Sequence, residues 1–171
     1  MIVWLNGTFG AGKTSTSREL VDLIPSARIF DTEQVGYMLD HVLDRVGDFQ
    51  HHLPWRDLVV DTATRLLDHL GVPLVVPQSV LVEQYWKEVH DGLTAAGVVV
   101  HHYVLHADRA TLVNRIESDT AEESSAARQW RLDHLDVYEQ ALPWLEREAA
   151  VIDTTALTPT AVATEIARRS A

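Results

Sequence analysis

Apolar and polar positions along the 171-residue chain alternate between two patterns. Short apolar runs of strand length are separated by longer segments in which apolar residues recur every three or four positions. That alternation predicts a parallel α/β sheet with right-handed crossovers. The run at residues 1–5 reads as a buried strand, and a helix follows over 15–23, closed by Pro25. A second strand over 27–30 ends at Asp31. A helix is predicted over 33–46, then a polar, His-rich connection over 48–52, then a long helix over 54–70 that Gly71 stops. The third strand spans 72–76 and leads into Pro77-Gln78-Ser79. A helix over 84–96 is capped by Gly97, and the fourth strand covers 98–106. Asp108 is the predicted N-cap of a helix over 109–117, a polar stretch over 118–125 breaks the periodicity, and a further helix runs over 126–142. A short fifth strand at 151–152 precedes a last helix, with Thr158 as cap and Pro159 at its first position, ending near Arg169. No repeat or low-complexity linker interrupts the series, so residues 1–171 are expected to form one domain.

The connection between the first strand and first helix carries the strongest chemical signal. Gly7-Thr8-Phe9-Gly10-Ala11-Gly12-Lys13-Thr14 is a complete Gly-x4-Gly-Lys-Thr phosphate-binding loop. A polyphosphate must be surrounded closely by backbone N–H donors, and glycines at positions 7, 10 and 12 allow this without Cβ clashes and with positive φ. Lys13 can reach the β- and γ-phosphates, the Thr14 hydroxyl is suited to Mg²⁺, and the helix beginning there points its positive end at the anion. Phe9, Ala11 and Ser15 complete the predicted nucleotide-binding segment. A turn that merely joined strand to helix would have no use for the Lys-Thr pair.

Composition restricts what else the protein can be. With 46% hydrophobic residues the chain can bury a sizeable core without staples. The absence of Cys excludes disulfides, thiolate metal sites and cysteine nucleophiles, and suits a reducing cytoplasm. The apolar runs fall short of the roughly 18 to 20 residues of a membrane helix, and no secretory signal precedes the loop. A soluble, cytoplasmic protein with no integral membrane segment is expected. The formal net charge of −11, with no basic run of five or more, disfavours nucleic-acid binding and points to a small-molecule partner.

In open parallel sheets ligands gather at the carboxyl ends of strands, here Asp31, Gln78, His106 and Asp153. Asp31-Thr32-Glu33 places two carboxylates where one can hold Mg²⁺ through water and the other can accept a proton from an attacking hydroxyl. Asp31 can equally serve as a helix N-cap with Glu33 in the first turn. The third strand is followed by Pro77-Gln78-Ser79 rather than by the Asp of a motor or switch ATPase, which shifts the reading toward small-molecule kinases, with Gln78 and Ser79 as substrate hydrogen-bonders. Arg115, Arg128 and Arg131 flank a segment that can close as a lid, approximately 118–131, and supply cations over the departing charge. Arg131 also fits an ordinary solvated surface role. Arg56, in Leu53-Pro54-Trp55-Arg56, is placed to grip the acceptor, with Trp55 either stacking on a ring or packing in the core. His51-His52 and His101-His102 do not read as metal ligands, because adjacent strand residues face opposite sides and no supporting ligand spacing accompanies them.

These residues resemble the tunicamycin-resistance ATP-binding proteins. The segment from Trp4 through Asn6, Gly7, Phe9 and Gly10 is similar to the opening of that family. Phe30-Asp31-x-Glu33-x-x-Gly36, Leu53-Pro54-Trp55-Arg56, Val75-Val76-Pro77, His101-His102, Thr111-Leu112-x-x-Arg115-Ile116 and Ala126-Ala127-Arg128-Gln129 follow in the family's order. The resemblance implies a three-layer P-loop NTPase fold: a five-stranded parallel sheet of order 2-3-1-4-5, with helices on both faces and a small helical lid. It also implies ATP binding and resistance to a uridine-containing antibiotic. The chain stops at Ala171, where a member of the family continues with a basic tail associated with membrane attachment, so the resemblance leaves membrane association open. The expected function is Mg²⁺-ATP-dependent phosphoryl transfer to a hydroxyl of a nucleoside-like molecule, tunicamycin being the suspected one. In that reading Lys13, Asp31, Glu33, Arg115 and Arg128 are catalytic, while Asp31, Arg56 and Gln78 hold the substrate. The alternative is an ATP-gated protein that sequesters the antibiotic without chemistry. The sequence is compatible with a monomer or a homodimer.

Overall fold

The computed structural model describes residues 1–44, 47–120 and 122–170, with residues 122–126 described by their backbone only. Five parallel strands form one sheet in the order β2-β3-β1-β4-β5. These are β1 (Ile2–Asn6), β2 (Arg28–Ile29), β3 (Leu74–Pro77), β4 (Val100–His106) and β5 (Ala150–Asp153). β1 lies at the centre, with Trp4 in register between Val76 and His102, and all five of its residues are buried. The apolar run at the N-terminus is therefore continuous rather than alternating because both faces of this strand are covered. β2 is an exposed edge whose hydrogen bonding to β3 continues one residue further, from Phe30 N–H to the Val75 carbonyl.

Among the described residues seven α-helices cover the two faces: α1 (Lys13–Leu23), α2 (Glu33–Leu39), α3 (Leu53–Leu70), α4 (Glu83–Ala95), α5 (Arg109–Ser118), α6 (Glu122–Glu148) and α7 (Pro159–Arg169). Their ends follow the local chemistry. The Asp108 carboxylate accepts the Thr111 N–H at 2.8 Å, and the Thr158 hydroxyl accepts the Ala161 N–H at 3.2 Å with Pro159 in the first turn. Gly71 ends α3 in the left-handed conformation at φ +65°. Trp4 and Trp86 meet edge to face at 5.2 Å, joining the central strand to α4 inside the core.

Two helices depart from the sequence pattern. α2 stops at Leu39 instead of reaching residue 46, and turns follow at residues 40–42; positions 45 and 46 lie outside the described residues. The apolar stripe fails there because Val42 is exposed rather than buried. In the other direction, α6 continues through Pro143, past the predicted end at 142. Trp144 and Leu145 are buried one turn after Ala141, and this packing carries the helix beyond a residue that lacks an N–H. The segment expected as a lid comprises the end of α5, a short connection and the first turns of α6. Ala121 and the side chains of 122–126 lie outside the described residues.

Candidate active site

The loop between β1 and α1 has the backbone a polyphosphate requires. Gly7, Gly10 and Gly12 adopt φ values of +126°, +77° and +93°. A Cβ on Gly7 would lie 2.5 Å from the Leu105 carbonyl oxygen, so close contact with β4 as well as dihedral angle demands glycine there. Lys13 Nζ donates to the carbonyls of Gly7 at 3.0 Å and Thr8 at 2.8 Å. Burial lowers the Lys13 pKa to about 8, nearby Glu33 opposes this, and Arg131 adds to it. Thr14 and Ser15 are exposed in the first turn of α1 and face the same cleft. This donor set fits a nucleotide polyphosphate with Mg²⁺: the ammonium and loop N–H groups would hold the anion, and the Thr14 hydroxyl would hold the cation.

Asn6, the last residue of β1, holds the loop in place. It is fully buried, and its Oδ1 accepts the N–H groups of Gly7 at 2.8 Å and Val80 at 2.9 Å. Its Nδ2 donates to the Val80 carbonyl at 2.9 Å and lies 3.3 Å from His102 Nε2. His102 Nδ1 faces the Glu148 carbonyl at 3.2 Å, so Nδ1 carries the proton and Nε2 accepts from Asn6. Burial against Trp86, whose ring stacks at 3.8 Å, pushes the His102 pKa down to about 3 and keeps the ring neutral. Ser79 adds a second tie from the segment after β3, donating from Oγ to the Gly7 carbonyl at 2.6 Å. The sheet thus fixes the phosphate loop and the β3–α4 segment as one unit.

A cleft of about 930 Å³ opens above these strand ends. One side runs from the phosphate loop to Arg115, Thr154 and Leu157, and the other to Glu33, Tyr37, Phe49, Gln78 and Tyr85. Glu33 is the member of the acidic pair that lines the cleft. Its pKa is raised, chiefly by burial and then by Asp31, against opposing effects of Lys13, a Tyr37 hydrogen bond and Arg131. Asp31 does not line the cleft. Its Oδ1 accepts the Glu33 N–H at 3.0 Å and its Oδ2 accepts from Gln34 Nε2 at 3.1 Å, an Asx turn that leads into α2; the N-cap itself is Thr32, so Asp31 is not the cap.

The other expected residues divide in the same way. Gln78 lines the cleft, but its amide already accepts from the Thr32 hydroxyl at 2.8 Å and donates to the Ser79 carbonyl at 3.1 Å. Arg56 stands behind the wall at 8% exposure, bonded to Glu88 and to the Gln50 carbonyl, with its guanidinium 4.2 Å from the centre of the Tyr85 ring. Trp55 is a core residue that donates to the Thr32 carbonyl at 3.1 Å. Arg115 reaches the cleft while bracing it, donating to the carbonyls of Gly10 at 3.2 Å and Thr154 at 2.7 Å. Arg128 does not line the cleft and donates to the Asp119 carbonyl at 3.2 Å, whereas Arg131 does line it, 3.2 Å from the Asp119 carboxylate and 5.7 Å from the Phe9 ring. Phe9 also meets Trp130 edge to face at 4.9 Å, tying the loop to α6. Among the described residues no group of His, Asp and Glu is arranged to hold a metal ion by itself.

Sequence reasoning missed Tyr37, Phe49, His51, Tyr85, Trp130 and Thr154. None belongs to a motif. A signal existed only for Phe49 and His51, which sit in the polar connection before α3, and it did not distinguish which side chains face inward.

No family model matches the chain, and no curated protein matches it. Solved structures do. A tunicamycin resistance protein from Deinococcus radiodurans superposes with a TM-score of 0.74 at 27% identity, over 99% of this chain and 94% of that one. A sugar kinase from Janibacter sp. HTCC2649 gives 0.67 at 16% identity, over 99% and 91%. The Mycobacterium tuberculosis APS kinase in complex with AMPPNP and APS gives 0.60 at 14% identity, over 96% and 94%. The last two share the fold. By whole-chain structure this protein has the α/β P-loop NTPase fold shared with small-molecule kinases, and over 99% of its length it is similar to a tunicamycin resistance protein.

Proposed function

We propose that the protein transfers the γ-phosphoryl group of ATP to a hydroxyl of a nucleoside-like small molecule, with tunicamycin as the first candidate. The observation that carries this reading is the presence of Glu33 in the same cleft as the phosphate loop, with Lys13 close enough to influence its titration. The acceptor oxygen would attack the γ-phosphorus and pass its proton to the Glu33 carboxylate. The bond to the β-phosphate oxygen would break, leaving ADP. A raised pKa suits a base, provided the carboxylate is ionised at working pH. Lys13 and Arg131 would balance the charge of the transferring group, and Arg115 would hold the loop against the β5–α7 segment. Bound Mg²⁺, held on the protein side by Thr14, would neutralise phosphate charge.

Likeness to a tunicamycin resistance protein supports the choice of antibiotic, and likeness to kinases supports transfer. Incubation of the protein with labelled ATP, Mg²⁺ and tunicamycin tests both. A labelled antibiotic is expected; tight binding of tunicamycin with no transfer would instead make capture the function.

A further inference from the structure

We infer that Tyr85 and His51 form an acceptor-recognition subsite at the end of the cleft away from the nucleotide, and that Arg56 is its positioning residue. This rests on the reading of the cleft as a nucleotide and small-molecule site. Tyr85, on α4, and His51, in the 3₁₀ turn Phe49–His51, are 34 residues apart in the chain, yet Tyr85 Oη and His51 Nδ1 lie 3.0 Å apart, and both residues line the cleft. The rings meet at 70° with centres 5.8 Å apart.

The pair is complementary to a particular kind of ligand. If Oη donates to Nδ1, the imidazole carries its proton on Nε2, and the cleft meets a donor at Nε2 and an acceptor at Oη. If Nδ1 donates, Oη–H becomes the donor and Nε2 the acceptor. Either arrangement offers one donor beside one acceptor, which matches a hydroxyl or the amide-like edge of a base. Phe49 and Val82 frame this end with apolar surface. The subsite therefore takes an uncharged polar group carried on a flat or apolar body.

Arg56 explains why the pair is held in place. It is almost entirely buried and ion-paired to Glu88, and its planar guanidinium covers one face of the Tyr85 ring. It also holds the Gln50 carbonyl, adjacent to His51, while Gln50 Nε2 donates to the Ser79 carbonyl at 2.9 Å. One buried cation thus fixes the elements that carry both members of the pair, and links them to the residue that ties the phosphate loop to β3.

Tyr85→Phe removes the hydroxyl and keeps the ring on Arg56, so the fold is retained, as an unchanged melting temperature will verify. Tunicamycin is titrated into the wild type, Tyr85→Phe, His51→Ala and the double variant, each saturated with AMPPNP and Mg²⁺. Loss of one neutral hydrogen bond predicts about 3- to 10-fold weaker antibiotic binding in each single variant, with AMPPNP affinity unchanged. Because the two groups act as a pair, the double variant should be no more than about twofold worse than either single one. Arg56→Lys, which keeps the charge but not the planar stack, should weaken antibiotic binding without weakening AMPPNP. Wild-type-like antibiotic binding by Tyr85→Phe, or an equal loss of AMPPNP affinity, would overturn the subsite and leave the proposed function standing. No binding of tunicamycin by the wild type would overturn both.

Discussion

Replacing Asn6 by Ala tests the claim that one buried amide holds the phosphate loop to the sheet. The substitution strips partners from the Gly7 and Val80 N–H groups, the Val80 carbonyl and His102 Nε2. A buried polar group deprived of its partner costs about 1–3 kcal/mol. Four such groups would cost more than most single substitutions do, but local backbone movement and an entering water can recover part, which leaves a loss of about 3–5 kcal/mol. Against a total stability of about 5–15 kcal/mol this is a large fraction, and in a domain of this size it lowers the melting temperature by roughly 10 °C. Urea unfolding monitored by tryptophan fluorescence measures it, with Ser79→Ala as a comparison that removes the single hydrogen bond to Gly7 and should cost about 1 kcal/mol. Nucleotide affinity of the folded Asn6→Ala protein should also fall at least tenfold, because the loop loses its fixed geometry. A stability loss below about 1 kcal/mol, with unchanged nucleotide affinity, would refute the reasoning.

Glu33→Gln should lower the rate of transfer by about 100- to 10,000-fold with little effect on nucleotide affinity, since a general base contributes that much. Asp31→Asn should keep most of the rate and change stability by no more than about 1 kcal/mol, because Asn also forms Asx turns; equal losses in both variants, measured by single-turnover transfer, would place Asp31 in the chemistry. Nucleotide binding should weaken as pH rises through about 8, where Lys13 in the free protein loses its charge. The sign is fixed: a bound polyphosphate stabilises the ammonium, so binding near that pH takes up a proton. Calorimetry in buffers of different ionisation enthalpy measures this uptake, and affinity that stays flat from pH 7 to 10 would contradict it.

Elements were legible in the sequence where local pattern and tertiary environment agree. The order of strands and helices, the Asp108 and Thr158 caps and the Gly71 stop all follow from chemistry within a few residues. The pattern misled where an apolar residue was left exposed, as at Val42, or where packing carried a helix through Pro143. In the site, the loop was legible because its backbone demands glycine and its ligand demands Lys and Thr at fixed spacing. The role of Arg56 was not, since a side chain's partner across the fold leaves no local trace. Arg56 finds Glu88 32 residues away, and Asn6 finds Val80 74 residues away. Tyr85 and His51 were hidden for the same reason, on separate elements joined only by folding.

The fate of the γ-phosphate in one turnover tests the central claim most directly. With protein in excess over γ-labelled ATP, and Mg²⁺ and tunicamycin present, the account predicts that the label moves to the antibiotic and that Glu33→Gln slows this transfer. Label that remains in ATP, or appears only as inorganic phosphate, would contradict it.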